Sequence, residues 1–435
     1  MVVPVLLLLA LGGLMEAGRS FGSDASSGTL MSFGYLMLSS FFAGKIADRI
    51  GLPKLTGYLI VGVIAGPFVL ELVGEHAISS LKFVSDTAIC LIALTAGGEL
   101  NIQRVRPLLR TLRAMTVFAV IGAMVLLSGA LLAIKPLIPF LDAMPLGSAL
   151  AVAGVIGVAL SAQSPAVVMA LLAETRADGP LSRVILGSVI VADLVVILMY
   201  AVTATLASAV LGGNMDVANT AISVSWELFG SIAFGFAMGI LLATFLRLAP
   251  RGGPLFATLI CVVVAEIGAR VHLDPLIVML AAGIWLENFS RVTAHALLHE
   301  IEGARLPLFL VFFSLAGTHI DVQQLAIAAV PVSILVLVRA LAFRVGTGIA
   351  CRVSGAEEVV RRYAWFGLVP QSGLALALAL LVRQTFPAFG DAAAVLTFGV
   401  VGANELISPV ILRRMLLRSG EAGRKQVADF ATAGH

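Results

Sequence analysis

Residues 187–199 read GSVIVADLVVILM. This apolar run holds a single carboxylate, Asp193, ten residues after Arg183, and it continues to about residue 209. At a rise of about 1.5 Å per residue, Asp193 would lie about 15 Å deep, near the midplane of a bilayer. A charge at that depth costs about 3 kcal/mol or more. We therefore predict a functional carboxylate; the alternative is an Asp held by hydrogen bonds between helices.

The composition is that of a membrane protein. The chain has 435 residues, 60% of them hydrophobic and 12% charged, and its mean hydropathy is +1.05. A soluble domain is about 25% charged. Nucleotide-binding glycine fingerprints, zinc-ligand spacings and a nucleic-acid-binding stripe are missing from the sequence, and three scattered cysteines suit packing. We expect a polytopic protein in a lipid bilayer, with no resident cofactor and no nucleic acid partner.

Fourteen apolar segments predict 13–14 transmembrane helices. The first segment could be a signal peptide, but no basic residues precede it, so we favour an extra helix. The predicted segments are 2–17, 29–47, 55–73, 81–99, 108–134, 146–174, 180–210, 222–247, 254–270, 275–289, 304–318, 325–351, 358–383 and 390–412.

Basic residues predict the orientation of the chain. If the loop with Lys45, Arg49 and Lys54 is cytoplasmic and the segments alternate from there, 21 of the 28 Lys and Arg residues fall on the cytoplasmic side. Such an excess is typical of cytoplasmic loops. We expect both termini in the cytoplasm, a location in the cell inner (plasma) membrane, and no C-terminal nucleotide-binding regulatory domain after the last helix.

Two segments are interrupted by similar polar motifs. The sixth contains SAQSP at 161–165 and the thirteenth contains PQSG at 370–373, and each motif places Gln-Ser beside a proline. Proline removes a backbone donor, and loosened backbone is tolerated in a bilayer only where it is buried or lines a cavity. The second broken segment comes seven places after the first, an odd number, so the two helices run in opposite directions. We predict an all-α fold with an inverted repeat and two crossed, broken helices; two merely kinked helices are the alternative.

Three further charges lie in or near the predicted helices. Arg339 stays protonated, so we expect it either to neutralise the negative partial charge of the broken helices or to pair with a carboxylate. Glu405 follows Asn404 in the last segment, nearer its cytoplasmic end, where gating or a structural role is as plausible as ion binding. Glu99 is predicted near a helix end as a gating or structural carboxylate.

Several motifs follow one another in a recognisable order: IGLP at 50–53, GYL at 57–59 and GP at 66–67; AGGEL at 96–100; LSAQSPA at 160–166; Asp193; Arg339; and 409–414 with Gly420-Glu421. In this order they resemble the cation/proton antiporter superfamily, on the side of the bacterial sodium/proton and potassium-efflux antiporters. The resemblance covers about residues 31–421.

The resemblance implies a homodimer that works by alternating access, with a core bundle moving against a dimerising scaffold. It divides the chain as follows: 1–28, an extra N-terminal helix and loop; 29–107, scaffold; 108–210, first core repeat; 211–324, linker and scaffold; 325–414, second core repeat; 415–435, cytoplasmic tail.

The resemblance also assigns the cation and proton site to Asp193. When ionised, Asp193 would bind a dehydrated monovalent cation; when protonated, it would cross the membrane neutral. The nearest oxygen donors would be Ser161, Gln163 and Ser164, and the second broken helix would bring Pro370, Gln371 and Ser372 opposite. One carboxylate among neutral oxygens suits Na⁺ or K⁺ better than a divalent ion.

One departure from the family pattern concerns stoichiometry. Electrogenic members carry two adjacent aspartates, whereas this chain has Ala192-Asp193, so we expect electroneutral exchange of one cation for one proton. The sequence leaves open a sodium-coupled symporter of a small organic anion and a gated channel; we do not expect an enzyme. His295 and His299 could sense pH, although a solvated connector explains them more simply.

Overall fold

The computed structural model describes residues 2–21, 25–99, 102–211, 225–248, 253–271, 273–290, 305–320, 328–371 and 373–424, with the single positions 222, 297 and 322. Fourteen helical segments account for most of this part of the chain. Their bounds are α1 Val2–Phe21, α2 Ala25–Arg49, α3 Lys54–Ala65, α4 Glu75–Glu99, α5 Arg106–Ala133, α6 Leu146–Ser161 and Pro165–Thr175, α7 Pro180–Val210, α8 Ser231–Leu248, α9 Gly253–Val271, α10 Pro275–Phe289, α11 Arg305–Thr318, α12 Ala329–Ser354, α13 Glu358–Leu368 and Gly373–Thr385, and α14 Gly390–Arg418.

Helix length divides the fourteen segments into two groups. By length and composition, eight in the described part of the chain can cross a membrane: α2, α4, α5, α6, α7, α8, α12 and α14. The other six contain shorter apolar helices of 10–17 residues. The prediction of an all-α, multi-pass protein with two broken helices is confirmed.

Among the helix bounds that differ from the predicted segments, three are instructive. α3 ends at Ala65, because Gly66 is extended (φ −71°, ψ 175°) and Pro67 follows; the remaining apolar residues to 73 lie beyond the helix. α4 begins six residues earlier than predicted, at Glu75. α14 continues to Arg418 despite Pro409 in its interior. Apolar runs marked the segments, but backbone geometry decided their ends.

The helices pack as two groups. α5, α6, α7, α12, α13 and α14 pack against one another and form what we call the core. α1 to α4 with α8, α10 and α11 form the scaffold, in which α10 lies between α4 and α8. The two groups meet where α14 contacts α3 and where the second half of α6 contacts α4.

Close helix contacts depend on glycine at several crossings. A Cβ on Gly62 of α3 would lie 1.9 Å from the Ser314 carbonyl oxygen of α11, and one on Gly346 of α12 would lie 2.2 Å from the Phe118 carbonyl oxygen of α5. Phe118 belongs to a π-helical turn, Met115–Ile121, within α5. Small residues allow this approach of helices within a membrane.

Candidate functional site

The first break separates the halves of α6. α6 stops at Ser161 because Ala162 and Ser164 are extended, and Pro165 opens the second half. The Ser161 hydroxyl donates to the Val158 carbonyl oxygen at 2.7 Å, and Gln163 Nε2 donates to the Ser161 carbonyl oxygen at 2.7 Å. Ser164 caps the second half by accepting from the Val167 amide at 3.2 Å. Local hydrogen bonds therefore hold the unwound backbone.

Gln371 joins the second break to the first. Its Nε2 donates to the Leu160 carbonyl oxygen at 2.8 Å, and its Oε1 accepts from Asn404 Nδ2 at 2.7 Å. Gln371 and Pro370 are buried, whereas Ser372 lies outside the described residues. The contact confirms that the two broken helices meet, and it connects both to α14.

Arg339 lies between the two breaks and is fully buried. Its Nε donates to the Leu160 carbonyl oxygen at 2.8 Å, and its Nη2 donates to Ala162 at 2.8 Å and to Leu368 at 3.3 Å. Its Nη1 donates to the Val369 carbonyl oxygen. One guanidinium therefore bonds carbonyls at the C-terminal ends of both first half-helices.

These contacts bear on the two predicted roles of Arg339. Unpaired carbonyls at a helix C-terminus carry partial negative charge, and the planar guanidinium offers five donors to several such acceptors at once. In the described part of the chain, Arg339 makes no ion pair with a carboxylate. The described contacts of Arg339 are with helix-end carbonyls, which favours compensation of the helix ends over pairing with a carboxylate.

Asp193 is buried, with 6% of its surface exposed, thirteen residues after the start of α7. Its Oδ1 has no hydrogen-bond partner among the described residues, and the same holds for Gln163 Oε1. Ala192 is fully buried in the apolar cluster that contains Ala162. Buried polar atoms are normally hydrogen-bonded, so oxygens without partners mark a place where another group can bind.

The two remaining predicted carboxylates differ in what the structure shows. Glu405 is buried and lies thirteen residues before the end of α14. It is therefore near the middle of the helix and not toward its end, because α14 extends to Arg418. Glu99 is the last residue of α4, and its side chain lies outside the described part of the structure. His295 and His299 lie outside the described residues too.

Asp274 is a scaffold carboxylate that the sequence reasoning missed. It caps α10, since its Oδ1 accepts from the Leu276 amide at 2.8 Å and the Ile277 amide at 3.2 Å. α10 begins deep in the bundle: Cys90, in the interior of α4, lies 3.8 Å from the Pro275 carbonyl oxygen. The Asp-Pro pair before an apolar run predicts only a cap, so the sequence could not show that α10 begins beside the interior of α4.

A second group of charges connects core and scaffold at the end of the bundle where α2 and α14 finish and α7 begins; we call this the basic end. Glu174, near the end of α6, accepts from the Lys54 amide at the start of α3 at 3.3 Å. Arg413 of α14 donates to Glu174 at 3.1 Å, to the Gly51 carbonyl oxygen at 3.2 Å and to Asp48 at 3.3 Å. The motifs at 50–53 and 409–414 thus meet in space.

The turn after α14 caps the helix that carries Asp193. Glu421 is buried, and its carboxylate accepts from the Leu181 and Ser182 amides at 2.8 Å each and from the Ser182 hydroxyl at 2.7 Å. Gly179, the residue before α7, provides no side-chain cap. A carboxylate from the far end of the chain therefore satisfies the first amides of α7.

The core contains two crossed, broken helices joined by a buried arginine, and the helix that follows the first break carries a buried carboxylate. These features define a secondary transporter built from inverted repeats. The transmembrane family of sodium/hydrogen exchangers matches residues 36–418, and the chain belongs to this family. Its relatives are cation/proton antiporters, which are transporters and not enzymes.

Individual relatives show the same family. The chain is 23% identical over 366 residues to GerT of Bacillus cereus, named a probable Na⁺/H⁺ antiporter, covering 81% of this chain and 92% of GerT. It is 28% identical over 394 residues to KefC of Klebsiella pneumoniae (strain 342), named a glutathione-regulated potassium-efflux system protein, covering 88% of this chain and 60% of KefC. A relative from Escherichia coli (strain K12) matches over 49% of this chain and 36% of its own length, with 26% identity.

A solved structure shows the fold. The sodium proton antiporter MjNhaP1 of Methanocaldococcus jannaschii superimposes with a TM-score of 0.68 and 16% sequence identity. The match covers 92% of this chain and all of MjNhaP1. The predicted sodium/proton antiporter fold is therefore confirmed over nearly the whole chain.

Proposed function

We propose that this protein exchanges one monovalent cation, Na⁺ or K⁺, for one H⁺ by alternating access, with Asp193 as the shared site. The observation that carries the proposal is the buried Asp193 carboxylate, whose Oδ1 has no partner in the described part of the protein. An uncompensated buried carboxylate is costly, and either a bound cation or a proton removes that cost. Cation and proton therefore compete for one group.

The hydrogen bonds of the first break suggest which oxygens assist Asp193. The Ser161 hydroxyl uses its hydrogen on Val158, so its lone pairs stay available. Gln163 uses its amide nitrogen on the Ser161 carbonyl, which leaves Oε1 without a partner. Both fit as cation ligands together with Ser164. Gln371 uses both ends of its amide between α6 and α14, which favours a structural role for that residue.

Arg339 supports the cycle without binding the cation. It neutralises the ends of the first half-helices, so those dipoles do not attract the cation away from Asp193. Because its donors are engaged by carbonyls, it stays with the core and does not compete as a counter-ion. Asp193 is then the group whose charge changes when cation and proton exchange.

The stoichiometry follows from Ala192. This side chain is an apolar packing residue in a fully buried position, so α7 offers one titrating carboxylate at the centre of the core. One carboxylate that exchanges one monovalent cation for one proton moves no net charge. We therefore propose electroneutral exchange, in a homodimer in the cell inner membrane with the C-terminus in the cytoplasm.

The family and the name of GerT favour sodium as the first cation to test, and the name of KefC keeps potassium open. The sodium-coupled symporter of an organic anion has no specific observation in its favour, because the relatives that match along most of the chain are named as cation antiporters or a potassium-efflux protein.

The test is cation-dependent proton movement in proteoliposomes with an internal pH dye and an imposed proton gradient. Sodium, potassium or lithium is added to the wild type, to Asp193→Asn and to the control Asp391→Asn, whose carboxylate lies in an exposed ion pair. Each assay is repeated with an imposed membrane voltage. We expect dequenching by one cation in the wild type and control, no response in Asp193→Asn, and no effect of voltage.

Other results would change specific parts of the proposal. Exchange driven by voltage would contradict electroneutrality and point to Asp274 or Glu405 as a second charge-carrying group. Full activity of Asp193→Asn would show that Asp193 is not the shared cation and proton site. A wild type that shows no cation-dependent proton movement would contradict the antiporter function itself.

A further inference from the structure

A cavity of about 570 Å³ opens between α12, α13 and α14 at the basic end of the core. Five arginines line it: Arg344 and Arg352 from α12, Arg361 and Arg362 from α13, and Arg418 from α14. Three helices that are distant in sequence thus direct cationic side chains toward one space. The residues of the two breaks and Asp193 do not line this cavity.

The charge of this cavity is poorly compensated by the protein. Arg361 pairs with Glu358 on the same helix, and exposed pairs of this kind contribute little. No other carboxylate in the described part of the chain forms an ion pair with the five arginines. Arg344 lies over the Trp365 ring, 5.8 Å from its centroid. Several guanidinium groups around one space suit an anion with several oxygens, such as a phosphate ester.

A second, apolar cavity adjoins the first. It has a volume of about 350 Å³ and lies between α5 and α12, where the π-helical turn of α5 contributes Val117, Phe118 and Ile121. Val345 and Ile349 of α12 line both cavities. The arginine-lined space and the apolar groove therefore lie side by side along α12.

The position of both cavities along α12 matches the layers of a membrane. Arg344 and Arg352 lie in the last three turns of α12, at the end of an apolar span, where lipid headgroups are expected. Farther from that end, Leu337 and Leu341 continue the exposed apolar row of Val345 and Ile349 at four-residue spacing, with exposures of 69% and 59%. This row faces away from the protein, as a lipid-contacting surface does.

We propose that the core binds one anionic phospholipid here, with its phosphate headgroup in the arginine cavity and an acyl chain in the groove between α5 and α12. A free phosphate would use the arginines but not the groove, and a neutral phospholipid would use the groove but not the charge. The two adjacent cavities fit a molecule that has both parts. The site holds the lipid against the core and not the scaffold, and it is independent of the proposed cation cycle.

Native mass spectrometry of the purified full-length protein tests the site. Delipidated protein is titrated with phosphatidylglycerol, with phosphatidylcholine of the same acyl chains, or with inorganic phosphate. We expect phosphatidylglycerol to bind at least about tenfold more tightly than phosphatidylcholine, since each basic side chain near a headgroup contributes to anionic lipid binding.

Two double variants, each at two exposed arginines, serve as the test of the arginine cavity and as its matched control. Arg352→Gln with Arg418→Gln should weaken the binding of phosphatidylglycerol about tenfold and leave that of phosphatidylcholine unchanged. Arg49→Gln with Arg247→Gln removes the same charge from exposed positions at the ends of α2 and α8 in the scaffold. This control should retain wild-type lipid binding.

A groove variant separates lipid from soluble anion. Gly122 lines the groove, and a Cβ there would be 4.0 Å from its nearest atom, the Val117 carbonyl oxygen. A leucine at position 122 is therefore compatible with the helix, and its side chain would fill the groove. Gly122→Leu should weaken the binding of phosphatidylglycerol but not that of inorganic phosphate. Equal binding of the two phospholipids, wild-type affinity in the Arg352/Arg418 variant, or phosphate binding as tight as the lipid would each overturn the proposal.

Discussion

At the scale of single residues, Arg339 is the side chain on which the geometry of the site depends. The sequence places this permanent cation inside an apolar helix, where its guanidinium needs hydrogen-bond acceptors. The structure supplies four carbonyls from two helices that are far apart in the chain. Such carbonyls cannot be identified from residue types, because every residue has one. The two predicted roles of Arg339 could be separated only when the breaks were placed around it.

We expect Arg339→Met to destabilise the protein by about 3–5 kcal/mol, because it leaves several buried carbonyls without donors. Arg339→Lys should lose less stability, because an ammonium keeps the charge. It should still lose some, because an ammonium cannot span both helix ends. The measurement is the midpoint of thermal unfolding in detergent. Arg270→Met, which removes an arginine from an exposed ion pair on α9, is the control and should change little. An Arg339→Met protein as stable as this control would show that the carbonyl bonds contribute nothing.

At the scale of elements, α7 depends on a residue 228 positions later than Asp193, the Glu421 carboxylate. The helix begins with Pro180 after a glycine, which provides no side-chain cap. The motif Gly420-Glu421 was noticed in the sequence, but its partner was not predictable, since a carboxylate can cap any helix whose first amides come within reach. The tail of the chain and the helix of the proposed site are therefore coupled.

Glu421→Ala should loosen the first turn of α7 at a cost of about 1–2 kcal/mol, the range for loss of an N-cap. Glu421→Gln should lose less stability than Glu421→Ala, because one amide oxygen remains as an acceptor. Hydrogen exchange followed by mass spectrometry should show faster exchange in a peptide that covers residues 181–184. Glu357→Ala removes a carboxylate at the start of α13 that makes no capping bond and should leave exchange unchanged. Unaltered exchange in Glu421→Ala would contradict the cap.

At the scale of the whole molecule, the network of Glu174 and Arg413 joins the core to the scaffold at the basic end. Glu174 accepts from the first amide of α3, while Arg413 donates to Asp48 at the end of α2 and to Gly51 in the turn before α3. Alternating access as proposed requires core and scaffold to move relative to each other. This contact lies on the boundary between the two groups and must open in such a movement.

We therefore expect a short, cleavable cross-linker between Lys54→Cys and Glu174→Cys to stop cation-dependent proton exchange, and cleavage to restore it. The native cysteines, which are buried, are first replaced by alanine. Cross-linking Lys82→Cys to Asp86→Cys within α4, where the native side chains form an i,i+4 pair, controls for the reagent and should leave exchange intact. Unchanged exchange in the cross-linked Lys54/Glu174 protein would contradict movement at this boundary.

The sequence by itself determined the membrane-spanning character, the number of segments and the two broken helices, because apolar length and proline act locally along the chain. Tertiary structure alone decided which carbonyls surround Arg339, that Glu421 caps α7, and that five arginines share one cavity beside an apolar groove. These contacts join residues on separate helices. Their existence depends on helix rotation and crossing, which no local pattern of residues records.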